Sequence, residues 1–256
     1  MINHAVIYHQ EKPPALDPDA DYLRIHAGLE PGHLRLTPAA LKKLCTKYRQ
    51  ITLVLPIATN DALQQGKHEN QQTFLLELFR HWTNKLHVTL HVVQADKSTG
   101  STSKSDHHVT SVQVWHEKSQ IKAERIAKSY FRFLPVWSRR LIQARQKETA
   151  IISLSLFGIE LLELEQENKK DLPPEISAWI IKGGKMAGGR GHARGRLWFI
   201  RSGVHPGLVY AALTHYRPSL PWWIYLISQA VIHQTVMKQF GYWRSRIMRR
   251  HHWHLY

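Results

Sequence analysis

The apolar positions of this chain fall into short runs whose spacing switches between a period of two and one near 3.6, the signature of strands alternating with helices. His4 to Tyr8 reads as a short strand. Thr37-Pro38 supplies an N-cap followed by proline at the first helical position, and predicts a helix over Ala39 to Tyr48. Ile51 to Ile57 is continuously apolar, as a buried strand is. Asn70 to Asn84 is an amphipathic helix pattern, and Leu86 to Val93 alternates as a further strand. Beyond a polar break the order repeats, with a strand over Val109 to Trp115 and a helix over Ser119 to Phe133. Pro135 is expected to break that helix before a second helical run, Val136 to Lys147. Ala150 to Glu165 starts β-branched and bends at Gly158 as a hairpin would. Two more apolar runs, Ile176 to Ile181 and Leu197 to Ile200, flank a glycine-rich loop. Pro206 to Leu213 follows, and then a last helix from Pro221 to about Arg250.

The breaks set the domain plan. Lys97 to His108 is polar, small and flexible, and separates an N-terminal half, 1–96, from a C-terminal half, 109–256. Within the first half, Asp17, Asp19 and Asp21 have the opening spacing of a calcium loop but lack its later Gly and bidentate Glu, so they read as a solvated turn. Tyr22 to His33 brings Arg24, His26, His33 and Arg35 into an irregular or helical insertion, part of an arginine-bearing segment over about 11–50. The expected class is α+β.

Charge changes the picture. The chain carries 35 Lys and Arg against 19 Asp and Glu, a net +16. From Ile176 to Tyr256 there is no carboxylate side chain, against twelve Lys or Arg. Solvated surfaces mix both signs, so a long segment without acids predicts a polyanionic partner such as nucleic acid. The single cysteine, Cys45, excludes an intrachain disulfide and a cysteine-cluster zinc site, and fits a cytoplasmic protein. The N-terminus has no signal-peptide pattern, and the most apolar window, Trp222 to Ile232, is about half a bilayer span.

The glycine loop holds Lys185, Gly188, Gly189, Arg190, Gly191, Arg194 and Arg196, residues suited to a sugar-phosphate backbone. Two familiar phosphate loops are excluded on spacing. Gly184-Lys185 is followed by Met186, where a P-loop needs Ser or Thr, and Gly189, Gly191 and Gly195 miss the dinucleotide fingerprint by one position. A second basic feature is a stripe at three-to-four spacing, Lys118, Lys122, Arg125, Lys128 or Ser129, and Arg132, extended by Arg139 and Arg140. Arg246, Arg249 and Arg250 add cations at the end of the last helix.

Alternating short strands and helices, with Gly188-Gly189-Arg190-Gly191-His192-Ala193-Arg194-Gly195-Arg196-Leu197 between late strands, resemble the repeat-associated RNA-binding superfamily of CRISPR systems. The size, basic C-terminus and arginine-bearing insertion are most similar to the CRISPR-RNA-processing endoribonuclease of type IV systems. The resemblance implies two ferredoxin-like (βαββαβ) halves and a helical finger near the N-terminus that supplies active-site arginines. By position these would be Arg24 and Arg35, with Arg244 or Arg246 from the C-terminal helix. It further implies a structured RNA partner, the CRISPR repeat hairpin, retention of the product, and other subunits of an RNA-guided complex.

The chemistry is compatible with that expectation. Without metal, the 2′-hydroxyl attacks its adjacent phosphate in line, leaving a 2′,3′-cyclic phosphate and a 5′-hydroxyl; guanidinium groups stabilise the phosphorane and a histidine such as His26 moves protons. No cofactor and no metal are expected, since two-metal catalysis needs clustered carboxylates and the most basic third has none. His251, His252 and His254 read as a frayed terminus. The alternatives are a non-catalytic RNA- or DNA-binding subunit of an RNA-guided or mobile-element complex, and a peripheral membrane protein using its tryptophan-rich basic end.

Overall fold

The structure, a computed structural model, describes residues 3–9, 16–26, 31–55, 62–94, 109–117, 120–187, 195–217 and 229–252. The chain divides into two compact units, Met1–His108 and Val109–Tyr256.

The first unit is built on a five-stranded parallel sheet of β1 (His4–Tyr8), β2 (Asp21–Ile25), β3 (His33–Leu34), β4 (Gln50–Leu55) and β5 (Thr89–Gln94), in the order β3-β2-β1-β4-β5. Helix α1 (Pro38–Lys47) links β3 to β4, and α2 (Ala62–Leu86) links β4 to β5. Helix α1 starts where the sequence predicts, because Thr37 Oγ1 accepts from the Ala40 N–H at 3.1 Å and Pro38 needs no N–H partner. Both crossovers run toward the β5 edge, so right-handed connection puts both helices on one face. That face carries Ile7, Leu23, Ile25, Ile51 and Leu53; Leu41, Leu44, Phe74, Leu78, Phe79 and Trp82 are buried on the helices. Burial pushes the Cys45 thiol up to about 12.

The opposite face holds His4, Val6, Tyr8, Tyr22, Arg24, Thr52 and Val54, the alternate positions of the same strands. Val6, Tyr8 and Val54 form a small cluster there with Ala20 and Tyr22, to which no helix contributes among the described residues. In a doubly wound fold a helix after β1 would cover this face. Among the described residues between β1 and β2 there is a turn instead, held by His4 Nδ1 to Asp17 Oδ2 at 2.7 Å and Tyr22 Oη donating to the Asp17 carbonyl at 2.9 Å.

The second unit is a seven-stranded antiparallel sheet of β6 (Val109–His116), β7 (Ile142–Glu148), β8 (Ile151–Leu156), β9 (Ile159–Gln166), β10 (Ile176–Gly183), β11 (Arg196–Arg201) and β12 (Leu208–Tyr216). Its order is β6-β12-β11-β10-β9-β8-β7. Helix α3 (Ala123–Trp137) carries the chain from one edge to the other, a meander brings it back beside β6, and α4 (Gln229–His252) follows. Ile126, Tyr130, Phe131 and Phe133 of α3 and Val236, Met237 and Phe240 of α4 share one core with Trp179, Leu197, Phe199, Val209 and Ala211. Tyr130 packs edge-on to Phe131 and Phe240, at 5.6 and 5.3 Å between ring centres.

This architecture corrects several expectations. Neither unit is a ferredoxin-like βαββαβ half: the first sheet is wholly parallel, and the second is a six-strand meander closed by β6. The segment expected as a helical finger places Arg24 on β2, because Asp21 to Ile25 pairs in parallel with Ala5 to Tyr8. Helix α3 also runs through Pro135 and ends two residues later at Trp137, so the proline stops the helix without breaking it at its own position. The expected second helix is β7 instead: Ile142 and Ala144 point to the core at period two, and Gln143 and Arg145 at the alternate positions are exposed.

Two glycines around the basic loop serve the backbone. At Gly184, φ is +109°, and a Cβ would lie 2.3 Å from the Leu161 carbonyl oxygen. At Gly195 it would lie 3.0 Å from the Tyr216 Cα. Gly184→Ala is therefore expected to destabilise the second unit by about 1–3 kcal/mol in a denaturant melt, without any ligand present. An unchanged midpoint would return this glycine to a ligand-binding role. Among the described residues no helix is long and apolar enough to cross a membrane.

Candidate nucleic-acid interface

Helix α3 separates its charges from its apolar residues. Ile126, Ala127, Tyr130, Phe131, Phe133 and Leu134 are buried, while Lys122, Arg125, Lys128 and Arg132 are exposed. Against the desolvation of partial burial, Lys128 and Lys169 hold the Glu124 carboxyl below its usual range, with contacts of 2.8 and 2.7 Å. That exhausts the one acid in the first turn. Lys122, Arg125 and Arg132 make no ion pair among the described residues.

The stripe continues past the helix end. Arg139 and Arg140 are exposed and sit in the left-handed region, with φ of 51° and 67°, and their N–H groups donate to Val136 and Pro135 carbonyls at 3.2 and 2.7 Å. Two successive non-glycine residues there cost about 1 kcal/mol each, and glycine or asparagine is the usual choice at a helix C-terminus. Cations at this end suit the helix dipole, which accounts for the charge but not for side chains tolerated in that backbone. A strained turn that nevertheless keeps two guanidinium groups in solvent is the kind of feature found at functional sites.

Other cations are engaged by acids, a carbonyl or a hydroxyl. Arg244 lies buried against Glu117, Nε to Oε2 at 2.8 Å, with side-chain exposures of 9% and 1%, and its Nη1 reaches Ser129 Oγ at 3.4 Å. Arg196 pairs with Glu167 at 2.8 Å. Lys182 pairs with Glu165 at 2.6 Å, and Arg201 donates to the Ile121 carbonyl at 2.8 Å. Acids from before residue 176 thus neutralise part of the carboxylate-free segment, so the premise that its charge is wholly unopposed does not hold. Lys185 and Arg246 are exposed. Gly188, Gly189, Arg190, Gly191 and Arg194 lie outside the described residues, as do the side chains of Arg249 and Arg250.

In the first unit, strand register sets Arg24 opposite His33, and the rings of His26 and His33 meet with centres 4.4 Å apart. The Arg24 Nε is buried without a hydrogen-bond partner among the described residues. Burial raises the Tyr8 phenol pKa, partly offset by the Arg24 guanidinium beside it. Arg35 follows β3 at the same edge of the sheet. Arg24, His26, His33 and Arg35 therefore gather near the carboxyl ends of β2 and β3, the end of a parallel sheet at which α/β proteins bind ligands. Sequence spacing placed these residues near one another but missed His33 as the ring partner of His26, which only the β2–β3 register reveals. Among the described residues no group of three His, Cys, Asp or Glu is placed to hold a metal.

Set against known proteins, the chain matches no family model and no curated sequence. The class defined by fold and charge is a two-unit α/β and antiparallel-sheet protein with a cationic helix face.

Proposed function

We propose that the chain binds nucleic acid, with the outer face of α3 and the turn after it lying along the phosphate backbone. The observation that carries this reading is the contrast within one unit: Lys122, Arg125, Arg132, Arg139 and Arg140 stay exposed and unpaired among the described residues, while Arg196 and Arg244 are neutralised by acids. Guanidinium groups spaced along a helix and its terminal turn contact successive phosphates and release counterions. Structured RNA is the first ligand class to test. Hairpin RNA, single-stranded RNA and duplex DNA should be titrated across a salt series. Affinity falling linearly on a log–log plot supports the reading, and the tightest competitor decides between RNA and DNA. Absence of binding, or affinity indifferent to salt, would overturn it.

A second reading, the metal-independent endoribonuclease implied by the CRISPR-family resemblance, is favoured by the gathering of Arg24, His26, His33 and Arg35. The ferredoxin-like fold that came with that resemblance is absent, so the reading stands on side chains alone. One imidazole of the pair would accept the 2′-hydroxyl proton, a guanidinium would stabilise the phosphorane, and as the bond from phosphorus to the 5′-oxygen breaks a proton would pass from the second imidazole to that oxygen, which leaves as a hydroxyl. Arg24→Ala should stop a chelator-resistant cut of repeat RNA while leaving affinity within about tenfold. No defined cut in EDTA, or parallel loss of binding and cleavage, would leave the non-catalytic binder.

A further inference from the structure

At the β3 edge of the first unit an open cavity of about 510 Å³ lies between the sheet and α1. Its floor is apolar, formed by Leu23, Leu34 and Leu44, with Ala40 and Tyr48 beside them. Its other lining residues include Arg35, Lys43, Lys47 and His33, and among the described residues no carboxylate lines it. Asp21 is engaged by two of the lining residues, by Lys47 Nζ at 3.0 Å and by the Tyr48 hydroxyl. Hydrogen bonds from Tyr48 and Lys47 hold the Asp21 carboxyl below its usual range, so it stays ionised and fixes the side chains at that end.

Thr37 and Ala39 bring the first turn of α1 to the same cavity, and that turn holds no acidic residue. The strand-to-helix turn of β3 and α1 thus presents the positive end of a helix dipole at the carboxyl end of a parallel strand, where α/β folds receive phosphates. The volume falls within the range of small-molecule sites, roughly 300–1,000 Å³. An apolar floor with an aromatic ring suits a flat heterocycle, and a rim of guanidinium and ammonium groups suits a phosphate monoester.

We infer that this cavity binds a phosphorylated nucleoside, with the base over Leu23, Leu34 and Leu44 and the phosphate among Arg35, Lys43 and the first turn of α1. The inference uses the first unit only, so it stands or falls separately from the nucleic-acid interface on α3. A free mononucleotide and the phosphorylated end of an oligonucleotide share this chemistry, and the two are separated by experiment.

The test is calorimetry on the full chain with AMP, GMP, CMP and UMP, the four unphosphorylated nucleosides, inorganic phosphate, and a dinucleotide with and without a 5′-phosphate. At least one mononucleotide should saturate, at least about tenfold tighter than its nucleoside and than inorganic phosphate. A 5′-phosphorylated dinucleotide that binds more tightly than the mononucleotide identifies a strand end as the ligand, and the reverse identifies a free nucleotide. Lys43→Glu reverses an exposed charge, and Ala39→Trp fills the mouth from an exposed position. Each should weaken binding by about tenfold or more with the melting temperature little changed. No saturable binding up to millimolar concentration, equal binding of nucleoside and nucleotide, or unaltered binding to both variants overturns the inference. Salt-dependent RNA binding that survives in both variants shows the α3 interface to be intact whatever the cavity does.

Discussion

Replacing Arg244 by Met should cost the second unit about 3–5 kcal/mol, on the order of a 10 °C fall in melting temperature, with no RNA present. The side chain is held between Glu117 and Ser129, and Glu117 is almost wholly buried. Removing the guanidinium takes the opposite charge from a carboxylate that is 1% exposed, and the desolvation penalty of that buried charge dominates the loss. The double replacement Glu117→Leu with Arg244→Met removes both charges and should recover most of the stability, since buried ion pairs exchanged for apolar pairs are often neutral. The same experiment decides the standing of Arg244 as a catalytic candidate. A group acting on a transition state would leave the melt unchanged and abolish turnover. A clamp between β6 and the last helix moves the melt and carries activity with it. A single variant that melts as the parent does but no longer cuts RNA would sink the structural account.

That residue also marks the boundary of what is legible in the sequence. Period-two and period-3.6 patterns locate β4, α1 and the body of α3, though not its ends, because each buries one face locally, and local burial leaves a local record. Ion pairs leave none: Glu117 and Arg244 are 127 positions apart, and Arg196 and Glu167 are 29. A carboxylate-free stretch therefore reads as unopposed charge even when the sheet brings acids to it. Strand order is hidden for a related reason. The parallel β3-β2-β1-β4-β5 arrangement is usually announced by a helix after β1, and the sequence between β1 and β2 is rich in proline and aspartate instead. β7 was obscured because Ile142-Gln-Ala-Arg-Gln-Lys-Glu satisfies helix propensity as well as strand alternation, and the pairing of Ile142 with Leu156 and Ala144 with Leu154 decides it. What did survive is the stripe on α3, because amphipathicity on one helix is complete within its own few turns.

Removing that stripe should therefore produce the largest functional effect in the molecule. The combined variant Arg125→Ala, Arg132→Ala, Arg139→Gly and Arg140→Gly is expected to weaken nucleic-acid binding about 100-fold near 0.15 M salt. It should also reduce the slope of log K against log salt by about 3, close to one counterion per lost contact. Stability should move the other way. Glycine at 139 and 140 relieves two left-handed backbones, so Arg139→Gly and Arg140→Gly should each raise stability by up to about 1 kcal/mol. Opposite signs in the two assays are the mark of residues kept for contact at the expense of the fold. A control comes from β7 and β9 of the same sheet, where Lys147 is paired with Glu160 and Glu163 at 2.6 and 2.5 Å. Those carboxylates hold the Lys147 pKa up to about 12, so it is fully charged in any binding buffer and differs from the stripe only in being neutralised by its neighbours. Lys147→Ala should leave the salt slope where it was. If it flattens the slope as much as the stripe variant does, net charge rather than the α3 face governs binding, and the proposed interface is lost.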